Sequence, residues 1–445
     1  MAPDRRSCAT TIREGSIGEG RGCPLGRTLL LPPPCGEGIR ETFSAERHAE
    51  DHGMFDLSAA QRFMQAEGID AWLLVDYRGG NPLLWHILGI VRQPTRRAFL
   101  VVPRAGPPVL LIHTVDQFFF RDVALDKRIY RGWVEMRAML RDLLGPAETL
   151  ALDYSEEGGV PAVSFADAGT VELLRSWGYQ IATSADLFQV SAAAWDDFAI
   201  RSHRRACVVV AGIKDAAFDR VRDAIRVNKP LTEFELQQFI FSEFDRLGLE
   251  TEGQPVVQVN GHSGIVSYEP KPEGSALIGA GDWLLIDFWA RYPGERNVYS
   301  DIAWGAYAGA MIPPRLQEIF DIVKRARDAA LQAIEKAWQS CEVLEGWQVD
   351  DVARGVITAA GYGDNFHHRT GHSMGPGKRL HGLGVNLDNL ETHDTRRILP
   401  RTGFSIEPAI YLPEFGVRLE INVFLDPVAG PTVTTPVQDE IVRLT

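Results

Sequence analysis

The chain has 445 residues, 45% of them hydrophobic and 24% charged, which are ordinary globular values for a protein too long for a single core. A net charge of −13 argues against a nucleic-acid partner, because a phosphate backbone would be repelled. The longest apolar runs, such as WLLID and CVVVAGI, fall far short of the ~20 residues that span a bilayer, so no membrane partner is expected.

Residues 1–53 are rich in Gly, Pro and Arg and have neither a helical nor a strand period. Such a segment cannot bury enough apolar surface to offset its ordering entropy, and a disordered N-terminal extension is expected. GSIGEGRG lies in it, but with no strand before it and no GK[ST] after it this reads as linker, not as a phosphate loop. Met54 is a plausible alternative start. Of the five cysteines, Cys8, Cys23 and Cys35 fall in this segment, while Cys207 and Cys341 are far apart and show no CxxC spacing. That excludes a disulfide framework and a thiolate metal site. With no basic start plus apolar core of a signal peptide, it points to a cytoplasmic protein.

From Leu57 the texture becomes regular. LSAAQRFMQAEGI predicts an amphipathic helix closed by Gly68. DAWLLVDY follows as a strand, and RRAFLVVPRAG and PPVLLIHTV as paired strands about a Pro/Gly turn. VEMRAMLRDLLG is a helix, TLALDYS a strand, and FADAGTVELLRSWG a helix before YQIATSAD. This alternation predicts one α/β domain over residues 54–190. Two long helical patterns then open a second, α+β domain over 191–445. One is AIRSHRRACVVVAGIKDAAFDRVRDAI; the other, LTEFELQQFIFSEFDRLG, starts on a capping Thr232–Glu235 pair. PVVQVN, the helices PRLQEIFDIVKRARDAALQAIEKAW and QVDDVARGVITAAG, and the strands GFSIEPAIYL and GVRLEINVFL complete it.

Within that second domain, WLLIDFWARYPGERNVYSDIAW predicts a hairpin about Pro293–Gly294. Asp287 and Asp301 fall inside its apolar strands, where a lone carboxylate costs several kcal/mol or takes up a proton. Leu285, Asp287 and Trp289 share one strand face, and antiparallel pairing would let Asp301 approach Asp287. Two salt-bridged aspartates would be the plain explanation, but three other segments bear on it. His372 follows Gly371 in HHRTGHSMG, whereas His367 and His368 read as structural. Glu407 sits in an apolar strand directly before Pro408. In FGVRLEINVFL the alternation places Arg418, Glu420 and Asn422 on one polar stripe. Four carboxylates and one imidazole in buried surroundings are explained together by two divalent cations. The oxygen-rich set without thiolate favours Mn2+ or Co2+ over a structural zinc site. Such a pair shares a water and can lower its pKa to about 7, giving a hydroxide nucleophile near neutral pH.

Asp287, Asp301, His372, Glu407 and Glu420 occur in an order and in settings that resemble the pita-bread metallopeptidases, the group of methionine aminopeptidase, aminopeptidase P, prolidase and creatinase. HRTGHSMG is similar to the HRTGHxIG loop of the prolidase-like branch, and GFSIEPAIYLPEFGVRLE to its FxIEPGIY…FGVRxE block. DYRGGNPLLWHILG resembles part of the creatinase-type N-terminal domain. The resemblance covers residues 54–445. It implies an α+β pita-bread catalytic domain behind a smaller α/β creatinase/prolidase-type domain, a two-metal centre, and a homodimer. By resemblance Asp287 binds one metal and Asp301 bridges both; His372 and Glu407 belong to the other, and Glu420 bridges. Glu407 is then the group that accepts the attacking water's proton. Arg418 is placed either to orient a bound carboxylate or to form a plain ion pair.

The substrate-handling residues depart from the family. Where it often has a His in a motif like NPHYxP, GHSGIVSYEP places Ser267, with His262 five residues earlier. A serine donates a hydrogen bond but brings no cation, so oxyanion stabilisation should be weaker or rearranged. His381 corresponds to the second family histidine but lies nine residues beyond His372, a longer interval than the family's, and the Asp287–Asp301 interval is longer too. The leading expectation is a dinuclear, Mn2+-dependent (or Co2+- or Zn2+-dependent) Xaa-Pro peptidase of prolidase or aminopeptidase P type. Its substrate is a peptide with proline second, held by His381. A creatinase-like hydrolase of a small non-peptide substrate, suggested by Ser267, and a catalytically silent binding module are the alternatives.

Overall fold

A computed structural model describes residues 55–444; the expectations placed on residues 1–53 lie outside the described residues. The N-terminal helix Leu57–Glu67 forms where the sequence places it. Asp56 caps its first turn by accepting from the Ala59 amide, and Gly68 ends it in the left-handed conformation. It lies beside a mixed six-stranded sheet in the spatial order 126–130, 109–113, 97–103, 71–77, 149–152, 180–183. The Pro/Gly turn at 103–108 does produce an antiparallel pair, with Phe99 opposite Leu111. Both faces are buried. Trp72, Leu74, Leu100 and Ile112 pack on one side, and Leu73, Val75, Phe99 and Leu111 on the other.

The remainder is built from two helix pairs and two main sheets. Helices Asp197–Arg226 and Glu233–Leu247 cover the sheet that contains Val256–Val259, Trp283–Ala290, Ser300–Tyr307 and Val442–Arg443. The second of these helices carries the expected capping box between Thr232 and Glu235. Helices Pro314–Ser340 and Gly346–Ala359 cover the sheet of Ser373–Met374, Gly403–Ile406, Ile421–Asp426 and Gly430–Val433.

Strand alternation then decides what lies between the sheets. Ile286, Phe288, Ile302 and Trp304 pack against the first helix pair, so Asp287, Asp301 and Ala303 point the other way. Phe404, Ile406, Ile421 and Val423 pack against the second pair, so Ser405 and Asn422 point toward the first sheet. The sheets meet there: the Asp301 amide donates to Asn422 Oδ1 at 2.9 Å and the Glu420 amide to the Ala303 carbonyl at 3.3 Å.

Two expected strands are broken. GFSIEPAIYL forms Gly403–Ile406 and Ala409–Tyr411, and GVRLEINVFL forms Gly416–Arg418 and Ile421–Asp426. The outer halves pair only with each other, as a two-stranded ribbon. Pro408 has no N–H to donate to a ladder, which is a sufficient cause for the first break. Glu407 and Glu420 sit at the two breaks. Among the described residues, Cys207 and Cys341 are free thiols, and no helix is long and apolar enough to cross a membrane.

Candidate metal centre

The hairpin register sharpens the relation between the two aspartates. Asp287 is opposite Ala303 and Asp301 opposite Trp289, so the carboxylates are diagonal neighbours on one face. His372 reaches them from the loop before Ser373–Met374. Gly371 is needed beside it, because a Cβ there would overlap the Ser405 carbonyl oxygen. The His372 amide donates to Ser405 Oγ at 2.9 Å, and Nδ1–H is directed at the Ser373 carbonyl at 3.1 Å. That contact fixes the tautomer and turns Nε2 toward the acids, 3.3 Å from Asp301 Oδ2 and 3.5 Å from Glu407 Oε1.

Asp301, His372 and Glu420 each offer a ligand atom within 4.8 Å of the others, and all three are buried. Asp287 is 4% exposed and Glu407 borders the same group, so the structure gathers the five residues singled out by sequence. Asp301 Oδ1 and Glu420 Oε1 are buried with no hydrogen-bond donor among the described residues. Orphaned buried oxygens are expensive, and the chemistry of this donor set fits a divalent cation.

Against the protein's own charges alone, Asp287 and Glu420 resist ionisation. Burial pushes the Asp287 carboxyl up to about 7; Arg418 opposes the rise, while Asp301 and Glu407 add to it. Burial, with Asp301, Glu407 and Asp287 as like-charged neighbours, drives Glu420 well above the usual range. Burial would lower His372, but the Asp301 hydrogen bond and the Glu407 and Asp301 charges outweigh it and raise its pKa.

Arg418 donates Nη1 to Asp287 Oδ2 and places Nε and Nη2 at 3.0 and 2.6 Å from Tyr411 Oη. The Tyr411 hydroxyl in turn meets His368 Nε2 at 2.9 Å, and His368 Nδ1–H is directed at the Arg369 carbonyl at 2.7 Å. Burial, reinforced by Arg418, lowers the His368 pKa to about 3, so a neutral imidazole ends this chain. The polar stripe expected of Arg418, Glu420 and Asn422 still faces the acids, although the strand carrying it changes partners.

Sequence reasoning missed Ser405 and Tyr411 and took His368 as merely structural. Ser405 was detectable, being two residues before Glu407 on the same face; its hydroxyl donates to Glu407 Oε1 at 3.1 Å. Tyr411 and His368 are joined only by the fold.

His381 is brought close, its ring centroid 4.4 Å from that of His372. Among the described residues, neither Ser267 nor His262 forms a hydrogen bond or ion pair with Asp287, Asp301, Glu407 or Glu420. His262 is held by buried Glu233, with Nδ1 at 2.9 Å from Oε1, and its ring stacks on Tyr268 at 4.1 Å. Ser267 is exposed on the same loop and lines an open cavity of about 450 Å³ with Tyr268, Glu269 and Lys271. That loop rests on the ribbon bearing Tyr411 and Arg418, since the Gly416 amide donates to Ser263 Oγ at 2.8 Å.

Residues 202–427, which span every residue of this cluster, match the family model for metallopeptidase family M24. The chain belongs to metallopeptidase family M24. Among relatives, it is 32% identical over 176 residues to the putative dipeptidase YkvY of Bacillus subtilis, covering 38% of this chain and 42% of that one. It is 36% identical over 105 residues to the Xaa-Pro dipeptidase of Lactobacillus helveticus, covering 23% of this chain and 25% of that one. The chain thus spans less than half the length of these relatives. Among solved structures, the dipeptidase PepE from Mycobacterium ulcerans superposes with a TM-score of 0.60 at 20% identity, over 87% of this chain and 96% of that one. The prolidase from Thermococcus sibiricus gives 0.54 at 19% identity, over 87% and 98%. This M24 protein therefore has the α+β pita-bread fold together with an N-terminal α/β region, as the sequence resemblance implied.

Proposed function

We propose that this M24 protein is a hydrolase of the bond between a first residue and a following proline, with two divalent cations held by Asp287, Asp301, His372, Glu407 and Glu420. The observation that carries the reading is the pair of buried carboxylate oxygens without a donor, Asp301 Oδ1 and Glu420 Oε1. Oxygen donors with one imidazole and no thiolate favour Mn2+, with Co2+ and Zn2+ as alternatives. Bound there, the cations would supply Lewis acidity and lower the pKa of a water to about 7.

The chain's own groups divide the remaining work. Glu407, steadied by the Ser405 hydroxyl at 3.1 Å, accepts the proton of the attacking water. Arg418 favours the ionised form of Asp287 and orients it. His381 donates to the substrate, and the loop of His262 and Ser267 handles its far side. The named dipeptidase and Xaa-Pro dipeptidase relatives support a peptide substrate. We further assign residues 54–190 to a separate creatinase/prolidase-type domain, and propose a homodimer in a reducing cytoplasm, where free Cys207 and Cys341 would persist. A small non-peptide substrate of the creatinase kind is the second reading, favoured by the exposed Ser267.

A panel of Xaa-Pro dipeptides, longer Xaa-Pro peptides and creatine, assayed on protein reloaded with Mn2+, Co2+ or Zn2+, separates these readings. Cleavage before proline is expected. Turnover of creatine alone would move the assignment to the second reading, and a folded, metal-loaded protein inert toward every Xaa-Pro peptide would overturn the first.

A further inference from the structure

The two intervals that are longer than the family's, Asp287–Asp301 and His372–His381, come together in space. Arg291, 1% exposed, organises the first. Its Nη1 donates to the Gly294 and Asn297 carbonyls at 2.9 and 3.0 Å, and its Nη2 pairs with Glu250 Oε1 at 2.6 Å. Its guanidinium also lies 5.1 Å from the centre of the Tyr299 ring. Tyr299, 2% exposed, then crosses to the second interval, where its hydroxyl donates to the Lys378 carbonyl at 3.0 Å.

The segment it reaches is a closed loop. Met374 and His381 form a backbone bridge at its base, and the Gly382 amide donates to the Ser373 carbonyl at 2.7 Å. It has two tethers: Tyr299 Oη holds Lys378 near the tip, and Glu252 Oε1 accepts from the Leu380 amide, next to the base, at 2.6 Å. Val298 and Tyr299 from one interval share a small core with Met374 and Leu380 from the other, closed by Trp195. The exposed Lys378–Glu295 pair at 3.8 Å adds little in water.

We propose that Tyr299 is a positioning residue for His381. By holding the tip of the loop it sets where His381, at the base, stands beside His372. The inference rests on the peptidase reading for its kinetic consequence but not for its structural one. Losing the hydroxyl cuts the part-buried hydrogen bond to the Lys378 carbonyl, while the ring still covers Arg291 and fills the small core.

The test is Tyr299→Phe, alone and with His381→Ala. In 15N-histidine NMR spectra, the His381 resonance, identified by its absence in His381→Ala, is expected to shift or broaden in Tyr299→Phe while the other buried histidines keep theirs. On an Xaa-Pro peptide, kcat is expected to fall about tenfold with Mn2+ affinity and KM unchanged. In the His381→Ala background, Tyr299→Phe is expected to cost nothing further. An unmoved His381 resonance, or an equal kcat loss with and without His381, overturns the proposal. If Tyr299→Phe does not fold, Glu252→Ala cuts the other tether from the surface; an unchanged His381 resonance there overturns it equally. Failure of every peptide to be cleaved would refute the peptidase reading and leave the spectroscopic test standing.

Discussion

Replacing Arg418 with methionine removes the only arginine among the described residues that reaches Asp287, at little cost in volume. The side chain is 12% exposed and its partner 6%, so the pair is largely desolvated, and the guanidinium also holds Tyr411 Oη at 3.0 and 2.6 Å. Deleting one member of a buried pair costs ~3–5 kcal/mol when nothing else meets the remaining charge. Here a cation would meet part of it, so the loss falls mainly on orientation. Groups that orient metal ligands are typically worth ~10–100-fold in affinity, which is about 1.4–2.7 kcal/mol. Mn2+ affinity of Arg418→Met, measured by calorimetric titration of stripped protein, should therefore be weaker by one to two decades, roughly. Arg418→Lys should fall between the two, since an ammonium cannot reach Asp287 and Tyr411 with one planar fork. A folded Arg418→Met variant that binds Mn2+ within about twofold of wild type would refute the claim that Arg418 holds a ligand.

Asp301→Asn should abolish turnover and weaken metal uptake while circular dichroism stays native; normal activity would remove Asp301 from the site. Glu407→Gln should lower kcat by about 100- to 10,000-fold, the usual worth of a general base, a loss read by steady-state kinetics at saturating metal. Ser267→His should raise peptide turnover if the missing cation limits catalysis, and an unchanged kcat would mean that another group fills the role. Burial lowers the His203 pKa from 6.5 to about 4, against the hydrogen bond to the Tyr299 carbonyl at 2.6 Å, which raises it. The unfolded chain therefore binds the extra proton first, and this contribution is complete above pH 6.5 and lost as pH falls toward 4. The difference amounts to about 3 kcal/mol. Urea denaturation of wild type and His203→Gln should diverge by that order between pH 7 and 4, and parallel curves would refute the assignment.

The local parts of this site were legible in the sequence because each ligand carries its own contradiction. Asp287 and Asp301 interrupt apolar strands, and Glu420 lies on a polar stripe whose other face is apolar. Period two fixed which face they share. What the periodicity could not reveal was that both C-terminal strands break at their glutamates, because a broken strand and a continuous one alternate alike. Pro408 was the available clue for the first break; nothing comparable marks the second. The His368–Tyr411–Arg418 chain was invisible for another reason. Its members lie on a loop and on the two strands of a ribbon, and only tertiary packing joins His368 to the other two. The longer Asp287–Asp301 interval likewise gave no hint that buried Arg291 would brace it or that Tyr299 would reach the His381 loop.

The central claim is that the buried acids are there for cations and that catalysis follows their occupancy. Titrating metal-stripped protein with Mn2+ while following hydrolysis of an Xaa-Pro dipeptide tests both at once. The account predicts two ions bound per chain, with activity rising as they bind and remaining absent in Asp301→Asn. A stripped protein that cleaves the peptide at full rate, or a folded one that binds no divalent ion at all, would contradict it.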